Sequence, residues 1–194
     1  NSGEIIHSQN LKVSKTEEEF IFGPLDERPI PSLLRDFSAP VILKQNIDKE
    51  RLAFIFECET DSFNRWDAGR KLCENSLFNM ISEGALPDNI YLESLNKFIR
   101  NDALDPALRA LTLSLPSQDE ITQKCLDNGV IPDPMAIYRS VETLNLAISD
   151  HLKPELERIY EKYSVHEEYR PDASQSASLV FNYTNLILVG WPSG

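Results

Sequence analysis

The chain is poor in the residues that staple small scaffolds or build reactive centres. Cysteine occurs three times in 194 residues, as Cys58, Cys73 and Cys125. An odd count with no C-x-x-C spacing excludes a disulfide framework. All three lie in apolar helical patterns, where a reduced thiol behaves as a small hydrophobe. Histidine also occurs three times, as His7, His151 and His166, and no two stand one helical turn apart. The H-E-x-x-H arrangement that aims two imidazoles at one zinc ion is therefore missing. His166 precedes Glu167 and Glu168, which reads as a solvated histidine beside carboxylates. There is no G-x-S-x-G elbow and no phosphate-cradling loop. Asn128-Gly129 and Gly84 fall where helices end. No run of about 18 apolar residues is present, which argues against a membrane span. Basic residues are outnumbered, 19 against 31 acidic, and the net charge of -12 repels nucleic acid and anionic membrane. No basic run followed by an apolar stretch opens the chain, so no secretory leader is visible and the expected location is cytoplasmic.

What is present is an ordinary soluble composition, 41% hydrophobic and 26% charged, on a length that allows one domain or one domain plus part of another. The character changes near residue 47. Before it, Glu4 to Ser8, Leu11 to Ser14, Glu18 to Phe22 and Ala39 to Gln45 read as strands separated by turn residues. They are too few for a closed core and read as part of a larger sandwich or as strands packed on helices. After it the period is helical. Asp48, Asp61, Asp88, Asp105-Pro106, Ser117 with Glu120, and Asp133-Pro134 are amino-terminal caps. The buried stripes expected behind them include Leu52, Ile55 and Phe56, then Trp66, Gly69, Cys73, Leu77 and Met80, then Tyr91, Leu95 and Phe98. Lys153-Pro154 predicts a break before a last helix from Pro154 to Tyr163. No sequence repeat of fixed period is visible.

The expected fold is α+β and predominantly α. A short antiparallel β-segment (1–46) precedes an array of antiparallel α-helix pairs (47–170) and an atypical apolar tail (171–194). That tail holds one charged residue, Asp172. Leu179 to Val189 has high β-propensity, and two fates are expected for it: lying across an exposed apolar face of the array, or self-association.

Carboxylate pairs such as Asp119-Glu120 and Glu155-x-Glu157 sit in charged contexts or at helix starts, where negative charge suits the macrodipole. They lack the contrast in environment that acid–base catalysis needs. No catalytic and no metal-binding residue is assigned. Two runs stand out instead, Pro31 to Val41 and Phe63 to Gly69. Their candidate residues for a domain junction are Arg35, Phe37, Pro40, Phe63, Arg65, Trp66 and Asp67. The Arg35 guanidinium is expected to tie the turn to the helices. Phe63 and Trp66 are expected in the core. Arg65 and Asp67 are expected elsewhere on the helix, paired with charges such as Asp36 or Arg35.

Asn1 to Glu4, Phe20-Ile21-Phe22, Pro29 to Val41, Asp61 to Leu72, Leu113 to Ser117 with Glu120, Asp133-Pro134, Glu155 to Tyr163 and Tyr169 occur in an order that resembles the bacterial-type aminopeptidase N family of zinc-dependent alanyl aminopeptidases. The similarity covers about 170 residues and ends near Asp172. The resemblance implies the end of a β-sandwich domain and the start of a carboxyl-terminal helical domain. It implies a non-catalytic part that covers the cleft of an enzyme removing amino-terminal residues from peptides. Its partners would be the catalytic domain of the same polypeptide and, in the parent, peptide substrates. Zinc would belong to the parent, with no cofactor bound by this chain. The family's zinc and amine-recognition motifs are absent, so no such residue carries over, and this chain alone is expected to be inactive. The alternative is a stand-alone acidic helical module that binds a protein partner.

Overall fold

The computed structural model describes residues 3–25 and 28–163. Among these, six α-helices are formed: α1 Lys49–Cys58, α2 Ser62–Glu83, α3 Asn89–Arg100, α4 Pro106–Leu113, α5 Gln118–Asp127 and α6 Pro134–Tyr163. One 3-10 turn, Arg35–Phe37, precedes them. The helix starts are local chemistry. The carboxylates of Asp48, Asp61 and Asp88 accept from the backbone N–H of Arg51, Asn64 and Ile90. Asp105 accepts from Ala107 and Leu108, with Pro106 in the first turn. Ser117 and Glu120 close a reciprocal capping box. Each such cap is worth about 1 kcal/mol. Gly84 and Gly129 end α2 and the link after α5 with φ of 66° and 72°, values that cost glycine nothing.

The long helix α2 is the centre of the array and touches each of the other five α-helices. Its inward stripe is Arg65, Ala68, Gly69, Leu72, Cys73, Ser76, Leu77 and Met80. Against it stand Leu52, Ile55 and Phe56 of α1, Tyr91, Leu95 and Phe98 of α3, and Ile148, Leu152 and Leu156 of α6. Phe56 and Phe98 stack with centroids 4.6 Å apart and planes 18° from parallel. Polar ties lock the outer helices. Arg70 of α2 donates to the Ser114 carbonyl at 2.9 Å and to the Glu120 carboxylate at 2.8 Å. Those bonds hold Glu120 down to a pKa of about 2. The fully buried Arg109 donates to the Ile99 carbonyl at 3.2 Å and to Asp102 at 3.1 Å. Asp102 also takes Arg158 at 3.0 Å and Lys162 at 2.9 Å, which keep its carboxyl far below the usual range.

One expectation is not seen and two are corrected. No strand forms among the described residues, so the β-segment is not seen: Glu4 to Ser8, Leu11 to Ser14, Glu18 to Phe22 and Ala39 to Gln45 have no ladder. A strand needs a neighbour's N–H and C=O groups, and four short runs do not supply one another. Phe63 is exposed and Trp66 half-buried, because the inward stripe passes through Arg65 and Ala68 instead. The helix does not break at Lys153-Pro154. α6 runs through Pro154, with Leu152, Leu156 and Ile159 all fully buried. Their burial keeps both halves in line despite the roughly 3 kcal/mol that an interior proline costs. The apolar tail (171–194) lies outside the described residues.

Gly69 gives a sharp test of packing. A Cβ there would lie 2.7 to 2.9 Å from three ring atoms of Phe56, a ring pinned by its stack on Phe98. Alanine gains about 1 kcal/mol of helix propensity, whereas overpacking costs about 1–3 kcal/mol. The net cost is up to about 2 kcal/mol, so Gly69→Ala is expected to lower the Tm by up to roughly 8 °C in calorimetry. An unchanged or higher Tm would show that Phe56 has room to yield.

Candidate functional site at the domain junction

The short link Glu59-Thr60-Asp61 between α1 and α2 grips the turn that precedes the helices. In that turn Leu34, Asp36 and Phe37 have φ of 57°, 54° and 53°. The left-handed region costs a non-glycine residue roughly 1–2 kcal/mol, so surrounding contacts must hold it. Arg35 Nη2 donates to Thr60 Oγ1 at 2.8 Å, and Nη1 meets Glu59 Oε1 at 2.9 Å. The Asp36 N–H donates to Asp61 Oδ2 at 3.0 Å. Asn64 Nδ2 donates to Ser32 Oγ and to the Leu33 carbonyl, both at 2.9 Å. Asp61 thus serves twice, capping α2 with Oδ1 and holding the turn with Oδ2.

The clamp sets Phe37 against Phe63 with ring centroids 4.5 Å apart, and Phe63 lies 5.9 Å from Trp66. The Arg70 guanidinium stands 5.9 Å from the centre of the Trp66 ring. Of the seven sequence candidates, Arg35, Phe37, Phe63 and Trp66 therefore meet in one cluster. Pro40 is exposed. Asp67 pairs with Lys71 at 2.6 Å. Arg65 turns inward and donates to the Phe56 and Glu57 carbonyls at 2.8 and 2.7 Å. The partners expected for Arg65 and Asp67 are already taken, since Arg35 meets Glu59 and Thr60, and Asp36 meets Asp61. Sequence reading missed Ser32, Glu59, Thr60 and Asn64. The one available signal was the pair of carboxylates flanking a helix cap.

Burial pushes Glu59 upward, yet the N–H groups of Asp61 and Thr60, with Ser32 and Arg35, outweigh it and leave the carboxyl below its ordinary value. Asp61 behaves alike: burial raises it, and the N–H groups of Asn64 and Asp36, with Arg35, bring it down. The bonds of the cluster hold the turn against the start of α2. Burial pushes the Cys73 thiol up to about 12, which leaves it unreactive. Among the described residues no group of three or more His, Cys, Asp or Glu side chains converges on a point that would fit a zinc ion.

Residues 49–186 match the family model DUF3458_C, a domain of unknown function described as ARM repeats. The chain belongs to this family. Residues 1–46 match DUF3458, described as an Ig-like fold. DUF3458_C being an ARM-repeat family, the array is a repeat architecture, although no fixed period is visible in the sequence. Among curated relatives, aminopeptidase N of Caulobacter vibrioides is 32% identical over 154 residues, 77% of this chain and 17% of that protein. Aminopeptidase N of Escherichia coli K12 is 31% identical over 166 residues, 82% of this chain and 18% of that protein. The resemblance to aminopeptidase N is therefore shown, and the chain spans less than a fifth of these relatives' length. The crystal structure of Legionella pneumophila aminopeptidase A in complex with aspartic acid shares the fold, with a TM-score of 0.67 at 22% identity. It is matched over 84% of this chain and 20% of its own.

The clamp should respond to acid with a defined sign. Glu59 and Asp61 have folded pKa values below their ordinary 4.5 and 3.8. Their contribution is complete above those values and is lost as pH falls through the folded ones. Amide exchange at residues 32–37 is expected to rise below pH about 4. In Arg35→Gln the rise should begin at higher pH, because the cation that favours the ionised forms is gone. An identical pH profile in both proteins would remove Arg35 from the clamp.

Proposed function

We propose that this chain is a non-catalytic helical portion of a zinc aminopeptidase that removes amino-terminal residues from peptides. In this reading it forms structural cover over a catalytic cleft supplied by another part of the same polypeptide. The observation that carries the proposal is identity above 30% to two aminopeptidases N over 77% and 82% of the chain, in a sequence without H-E-x-x-H. Residues 1–46 would close a β-sandwich and residues 47–170 would open the helical domain. Arg35, Phe37, Phe63 and Trp66 would fix the angle between them, with Pro40, Arg65 and Asp67 alongside. Zinc would be held by the parent's other residues and would polarise the scissile carbonyl and activate water. A rigid helical cover would contribute by excluding bulk water. The expected location is cytoplasmic. Among the described residues no helix is long and apolar enough to cross a membrane. A stand-alone helical binding module is the less favoured reading, because the family match spans most of the chain.

Two measurements test the proposal. The gene upstream of Asn1 should encode H-E-x-x-H on the order of 300 residues away. The purified chain, supplied with zinc, should leave an aminoacyl anilide intact. Chelator-sensitive hydrolysis by the isolated chain, or an open reading frame that lacks the motif, would overturn it.

A further inference from the structure

In a repeat array each unit buries its apolar surface against its neighbours, and α6 is the last described helix. Its inner face is satisfied by Ile137, Leu144, Ile148, Leu152, Leu156 and Ile159. Its outer face is mixed, with apolar side chains set among Arg139, Glu142, Asp150 and Lys153. Met135, Tyr138, Glu142 and Leu146 recur at helical spacing, and Met135, Tyr138 and Leu146 are 55%, 52% and 45% exposed. Ile131, in the connection leading into α6, is 91% exposed.

We infer that the occupant of this face is the chain's own segment Leu179–Val189. Three observations select it. The first is composition: Ala173 to Gly194 contains no Asp, Glu, Lys or Arg, whereas Leu179, Val180, Phe181, Leu186, Ile187, Leu188 and Val189 are apolar. Such a segment covers Met135, Tyr138 and Leu146 without burying a charge of its own. The second is reach. Fifteen residues separate Tyr163 from Leu179, enough to extend about 50 Å. Leu146 lies only about 26 Å back along α6. Tethering also gives the segment an effective concentration in the millimolar range, ahead of a second molecule in dilute solution. The third is family register: the ARM-repeat match continues to residue 186, past the end of α6 and into this segment. The segment therefore caps the array in cis.

A photo-crosslinking phenylalanine analogue in place of Tyr138, in the full chain, tests the assignment. Mass spectrometry of the monomer fraction should find it joined within the chain to peptides from 176–191. Crosslinks between two chains would give the face to a second copy and overturn the inference, as would crosslinks that never reach the segment. In parallel, Met135→Asp combined with Leu146→Asp should raise cleavage by chymotrypsin at Phe181 and Tyr183 about tenfold, with helical circular dichroism unchanged. Unchanged cleavage in the folded double variant would also overturn it. Should that variant fail to fold, the crosslink alone decides.

Discussion

The array depends on one buried guanidinium. The last turn of α1 leaves carbonyls with no intrahelical partner. Two of them, at Phe56 and Glu57, are met at 2.8 and 2.7 Å by Arg65 from the first turn of α2. The same group lies 4.8 Å over the ring of Phe98 in α3, and Phe98 stacks on Phe56. One side chain thus closes the corner between two helices and seats a third. Burial presses the guanidinium toward its neutral form, but arginine stays charged in proteins. Its desolvation is offset by charge-assisted bonds worth about 1.5–3 kcal/mol each. Lysine, a single point donor, would not span both carbonyls and the ring together. The Glu57 carboxylate completes the corner by accepting from Ser94 at 2.9 Å and Lys97 at 3.0 Å.

What sequence reading recovered was what chemistry fixes over three or four residues. The caps at Asp48, Asp61, Asp88, Asp105 and Ser117 are where the chain's own side chains reach its own N–H groups, and the inward faces of α1 and α3 follow from period alone. What it lost depends on distant partners. Phe20-Ile21-Phe22 has the alternation of a strand, but a ladder requires a second strand that alternation cannot supply. Phe63 and Trp66 look like core by hydrophobicity. Arg65 takes the inward place because carbonyls of the preceding helix need its donors. Pro154 looks like a stop, and the buried Leu152 and Leu156 on either side override it. At the junction, Arg35 was legible as a tie, whereas Glu59 and Thr60, its acceptors, carry no local mark.

The strained turn at Leu34 to Phe37 and the link after α1 form a pair of unequal costs. Three left-handed residues together cost a few kcal/mol. The bonds from Arg35 and Asp36 land on Glu59, Thr60 and Asp61 just before α2, and Asn64 of α2 donates back to Ser32 and Leu33. The turn is therefore held by a rigid helix end, not by the extended segment around it. Such strain persists where geometry must be kept. Here it keeps Phe37 exposed, with its ring tilted by 45° against that of Phe63.

Exposed hydrophobics mark where the array meets other structure. Among the described residues, eleven of the twenty large ones lie within residues 3–46, among them Ile5, Ile6, Val13, Ile21, Phe22, Val41 and Ile42, a concentrated set where scattered single exposures are normal. It agrees with the Ig-like match to residues 1–46, because such a sandwich takes about seven strands and this stretch offers four candidate runs. The helices, by contrast, close a core around α2, on which Ile30 and Ile47 from the preceding stretch also pack. The first 46 residues and the array thus bury their apolar side chains to different extents.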